Sequence, residues 1–143
     1  MATSLYDKDF AQWAADTADA LRERRFDEVD VEHLVEEVEG LASKDFRELR
    51  SRLIILLMHL LKWQFQADGR SASWKATINI QRIDIEGILE ASPSLRARIP
   101  LGTAFEKARK SAEMETMLAS GTFPNHCPYT LDQILDESFW PEA

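Results

Sequence analysis

Histidines, a cysteine and a run of glutamates are the first side chains to weigh here as metal ligands or proton carriers. His33 and Glu37 lie four residues apart in VEHLVEEVE, the spacing that sets two ligands on one helical face. The same stretch also reads as the charged face of a surface helix. Neither the Glu-x-x-His pair of di-iron bundles nor a His-Glu-x-x-His motif occurs. His126 adjoins Cys127, but sequence neighbours rarely bring a ring nitrogen onto the adjacent sulfur, and no strand–turn–helix elbow surrounds them. No glycine-rich phosphate loop occurs either. We therefore expect no bound metal, no cofactor and no assignable catalytic residue.

His59 stands inside the apolar run LIILLMHLLKWQF, residues 53–65. A neutral imidazole on a largely buried helix satisfies itself by donating one hydrogen bond to a carbonyl or a carboxylate. Glu36, Glu37 and Glu39 on the preceding stretch are the acceptors on offer. We read His59 as a satisfied core histidine, with a pocket residue and a metal ligand as the alternatives. Just beyond it, Lys62, Trp63, Arg70, Trp74, Lys75 and Arg82 interleave cations with tryptophans. Such a set can stack bases and hold phosphates. It can equally lock two antiparallel helices through cation–π contacts and ion pairs, and we favour that structural reading. With the three glutamates and His59 these residues make one polar seam, structural or functional.

The elements that position this seam follow from apolar spacing. Phe10, Trp13, Ala14, Thr17, Ala18 and Leu21 recur every three or four residues and predict a helix from about Leu5 to Arg24. Asp30 is the expected N-cap of the next helix, whose stripe runs through Leu34, Val35, Val38, Leu41 and Ala42. It continues in phase through Phe46, Leu49, Leu53, Leu56 and Leu60. A straight helix over 31–66 would be about 54 Å long, so a break or kink is expected near Gly40–Ser43. Ser71 and Ser73 can cap a helix over 72–91, in which Ile80 and Ile83 widen the buried face. Pro93 stops that helix, Pro100 opens another, and Gly121 stands at the expected C-cap. Thr130 and Gln133 spell a capping box for a short helix over 131–138, followed by an apolar clasp of Phe139 and Trp140. No strand signal and no repeat occurs. The expected fold is all-α: residues 1–143 as a single domain, a compact bundle of five or six helices around one core, with a long, kinked or broken central helix.

Hydrophobic content of 45% with 29% charged residues is that of a soluble globular domain. A lone cysteine excludes an intramolecular disulfide and fits a reducing compartment. The start MATSLYDKDFAQW does not read as a signal peptide, and the run 53–61 falls far short of the roughly 20 apolar residues a membrane helix needs. A cytoplasmic protein is expected, with no membrane partner. Charge is segregated: residues 1–40 carry a net −8, residues 41–110 a net +6 and residues 111–143 a net −6. Acidic ends against a basic middle suit internal pairing, or acidic and basic faces meeting in a homodimer, and they disfavour nucleic acid as a partner.

YDKDFAQW, FDEVDVEHLVEEVEGL, LLMHLLKWQFQ with RSASWKATINIQR, and FPNHCPYTLDQILDESFWPE together resemble, in order, a bacterial family known as domain of unknown function 29. The resemblance spans about residues 6–142. It implies a small all-helical bacterial protein with no established activity, cofactor or partner. The family's recurrent HLLKWQ and R..SW segments fall on His59–Gln64 and on Arg70, Ser73 and Trp74. Its glutamate-rich helix falls on Glu36, Glu37 and Glu39. Together the residues point away from an enzyme and toward an interaction or regulatory protein, working through a surface or by self-association with a protein partner or a second copy. The alternatives are an anion- or nucleic-acid-binding module built on the 62–82 hairpin and, behind it, a metal-dependent hydrolase.

Overall fold

The expected first helix is divided by Asp9, whose carboxylate accepts from the Gln12 amide and caps a new start. In the computed structural model, which describes residues 4–142, this leaves a single-turn helix α1 (Leu5–Lys8) followed by α2 (Phe10–Arg22). Asp30 caps α3 (Val31–Phe65) and Ser71 caps α4 (Ala72–Ala91), both as expected. α5 (Leu101–Thr116) and α6 (Leu131–Leu135) complete six α-helices, and no strand occurs among the described residues. Thr130 and Gln133 form the reciprocal capping box on α6.

The long central helix is present, and its hydrogen bonding runs through Gly40–Ser43 without the expected break. One glycine costs only about 1 kcal/mol relative to alanine in a helix, too little to end one flanked by good helix formers. Two compact units divide the chain a few residues further on, the first ending at Lys44 and the second beginning at Asp45. α5 is shorter than its periodicity predicts. Met117, largely exposed, adopts the left-handed conformation at φ 57° and closes the helix. Gly121, expected as the C-cap, takes its positive φ of 91° in the turn that follows.

In the first unit, Trp13, Thr17 and Ala20 are the buried residues of α2. Tyr6 is the hinge of the packing: its ring stacks on His33 at 4.0 Å and meets Trp13 edge-on at 4.8 Å. Its hydroxyl donates to Glu37 one turn along. His33 and Glu37 therefore form the inner face of α3 in this unit. The stripe expected to be buried there is not: Val35, Val38 and Leu41 are exposed, as is Ala42, and Leu34 is half-buried.

The second unit holds a continuous apolar core. Leu49, Leu53, Leu56, Leu57, Leu60 and Leu61 of α3 are essentially sealed from water. They pack with Ile78 and Ile85 of α4, Phe105 of α5, and Phe123 and Ile134 beyond it. Each such side chain contributes about 1.5–3 kcal/mol by leaving water. Ala104, Ala108 and Ala112 recur every fourth residue, giving α5 a narrow buried face. Ile80 and Ile83, expected to widen the buried face of α4, point to solvent instead. Ile78 and Ile85, seven residues apart, already supply the inward row.

Candidate functional site

The last turn of α3, the turn at 67–69 and the start of α4 bring the expected cations and tryptophans together. Lys62 is only 8% exposed; its ammonium lies 3.2 Å from Glu115 of α5 and 4.7 Å from the centre of the Trp74 ring. Arg70 donates from Nε to the Trp63 carbonyl at 2.7 Å, satisfying a carbonyl left over at the α3 C-terminus. Its guanidinium also sits 4.9 Å over the Trp63 ring. Trp63 in turn packs on Trp140 from the C-terminal segment, with ring centres 4.7 Å apart. Gly69 is required by this packing, because a Cβ there would stand 2.7 Å from the end of the Trp74 indole.

Arg82 is the most constrained member, at 2% exposure. Nε donates to the Ile134 carbonyl at 2.8 Å, and Nη2 donates to the Phe139 carbonyl at 2.9 Å with Gln133 O at 3.4 Å. Its charge also lies 5.5 Å from the Trp140 ring centre, as Lys75 does at 5.8 Å. The expected clasp of Phe139 and Trp140 is thus held by a buried guanidinium. Burial depresses the Arg82 pKa, opposed by Asp136 and Glu137. Nη1 is buried with no partner among the described residues. Beside it opens a cleft of about 610 Å³ rimmed by Glu86, Glu90, Arg96, Asp136 and Glu137. Four carboxylates against two guanidiniums make that cleft unwelcoming to an anion.

His59 donates its Nδ1 proton to the Ile55 carbonyl at 2.9 Å, one turn back on its own helix. A carbonyl only accepts, so the ring is the Nδ1–H tautomer when neutral. Burial lowers its pKa; the Ile55 bond opposes this and the Lys62 charge adds to it. Glu36, Glu37 and Glu39 belong to the first unit, where Glu37 is taken by Tyr6 and the other two face solvent. The expected glutamate partner therefore exists for Lys62 rather than His59, and it is Glu115. Sequence spacing could not show it, because the two residues are 53 apart.

In the first unit, Asp30 accepts from the His33 ring, which raises the His33 pKa and lowers that of Asp30. Tyr6 is pushed up to about 12, first by its bond to Glu37 and then by burial. Cys127 donates its thiol to the Tyr129 carbonyl at 3.4 Å, and burial raises its pKa, so it is held as a thiol rather than a nucleophilic thiolate. His126 beside it is exposed. Among the described residues no group of three or more His, Cys, Asp or Glu side chains converges as metal ligands do, and no helix is long and apolar enough to cross a membrane.

Of the four cations expected to meet an outside anion, Lys62 and Arg82 are buried and engaged, while Arg70 and Lys75 are exposed. What this arrangement does well is to hold α3, α4, α5 and the C-terminal segment in fixed register. A family model described as "Domain of unknown function DUF29" matches residues 5–140. Neither a curated protein nor a solved structure matches the chain.

Proposed function

The chain belongs to the DUF29 family, and we propose that it works as an interaction or regulatory protein, through a surface or by self-association, rather than by catalysis. One observation carries this reading: Val31, Val35, Val38 and Leu41 of α3 stand in water at 60%, 48%, 58% and 67% exposure. Scattered exposed apolar residues are ordinary, but a contiguous row on one helix is the usual mark of an interaction surface. The basic and aromatic hairpin supports the reading from the other side, since its charges are spent on carbonyls, indole rings and Glu115. We take the protein to be cytoplasmic, where Cys127 stays reduced.

The test is the size of the protein in extracts of the cell that makes it. The wild-type chain is expected to elute within a larger assembly, and Val38→Glu to elute at the size of a single chain. A wild-type protein that elutes as a single chain under the same conditions contradicts the reading. A second reading, binding of an anion or a nucleic acid by the 62–82 hairpin, has exposed Arg70 and Lys75 in its favour. Its signature is binding of mixed single-stranded oligonucleotides that weakens steeply as salt rises.

A further inference from the structure

The exposed row on α3 has a definite shape and a definite electrostatic border. At 3.6 residues per turn, Val31, Val35, Val38 and Ala42 fall within an arc of about 60°, with Leu34 and Leu41 widening it along one edge. Along the other edge run Glu32, Glu36 and Glu39, all exposed and, among the described residues, in no ion pair. No lysine or arginine occurs between Val31 and Ser43. The helix's inner face is already occupied, since His33 stacks on Tyr6 and Glu37 accepts from its hydroxyl. The apolar row lies on the far side of the helix from those contacts.

Resting on the interaction reading above, we propose that this face docks a cationic amphipathic helix: an apolar stripe seated on Val31, Val35 and Val38, with lysines or arginines reaching Glu32, Glu36 and Glu39. Apolar residues spaced by four, three and four are the pattern by which one helix receives another. Charge selects the partner. A second copy docked by the same face would bring two uncompensated glutamate rows near each other, which is destabilising. An anionic membrane surface would be repelled by the same carboxylates. A basic helix fits both features, and the surrounding net charge of −8 over residues 1–40 would steer it toward the face.

Fluorescence anisotropy with a labelled 14-residue leucine–lysine peptide, its leucines spaced to form one helical face, tests this. The control is a peptide of the same composition scrambled so that no apolar face forms. The full chain is expected to bind the amphipathic peptide and not the scrambled one. The double variant Val35→Ser with Val38→Ser should weaken binding on the order of tenfold or more. The triple variant Glu32→Gln, Glu36→Gln, Glu39→Gln should weaken it too and flatten its salt dependence. Equal binding of both peptides, or indifference to the valine changes, overturns the proposal. Light scattering that shows a dimer dissolved by Val38→Glu also overturns it and puts a second copy on the face. Should the amphipathic peptide fail while the chain still elutes in an assembly that Val38→Glu dissolves, the cationic helix falls and the interaction reading stands.

Discussion

Two histidines on one helix meet opposite electrostatic surroundings. His33 gains Asp30, so its folded pKa lies above the ordinary value near 6.5. Its contribution is full below that value and is lost as pH rises through the raised folded pKa. Asp30, depressed by the same pair, contributes above its ordinary value of 3.8 and loses this as pH falls. The pair is therefore strongest between about pH 4 and 6.5. His59 runs the other way: burial lowers its pKa, so its neutral form opposes no folding at pH 7 and protonation destabilises below about 6.5. Proton NMR titration should find His33 above 6.5 and His59 below it, with Asp30→Asn returning His33 toward the ordinary value. Both histidines on the same side of 6.5 would contradict either the Asp30 bond to His33 or the burial of His59. At Arg82, the fork of the guanidinium reaches three carbonyls, and a lysine reaches fewer. Arg82→Lys should lower stability by about 2–4 kcal/mol in urea denaturation, since hydrogen bonds from a buried charged donor are lost. A loss within error would show that the clasp does not depend on it.

At the scale of the elements, α3 shows what sequence reasoning reaches and where it stops. Gly40 sits in mid-helix with nothing within 4 Å of the place a Cβ would occupy. Gly40→Ala should therefore raise stability by about 0.5–1 kcal/mol, and Gly40→Pro should lower it by roughly 3. Thermal melts followed by circular dichroism read both. No gain from the alanine would mean that the helix is not regular at that point. Caps were legible because their chemistry is local: Asp30, Ser71, Thr130 and Gln133 act on amides three residues away. Periodicity likewise placed the buried stripe of α3 correctly over 49–60, but not over 35–42, where the residues expected inside are exposed. What it could not say is whether anything covers each stretch of the stripe. The rows at 31–42 and 49–61 look alike in sequence, yet the first is exposed while the second is buried in the core with α4, α5 and the residues after them.

Across the whole molecule, charge segregation was plain from sequence while its use was not. The basic middle of the chain spends Lys62 and Arg82 inside the second unit, on partners more than 50 residues away. Arg52 takes Asp84, and Arg96 takes Asp132. The acidic first stretch keeps Glu32, Glu36 and Glu39 exposed and, among the described residues, in no ion pair, beside an exposed apolar row. On that contrast we propose an interaction surface on the first half of α3, with the hairpin at 62–82 as a structural lock. If Val35 and Val38 belong to a surface, replacing both with serine leaves the protein's own fold untouched. Urea denaturation of the Val35→Ser, Val38→Ser variant should then give an unfolding free energy within about 0.5 kcal/mol of the wild type, the range of ordinary surface substitutions. A loss of about 2 kcal/mol or more would mean that the row is core within the chain, and would contradict the assignment of this face to a partner.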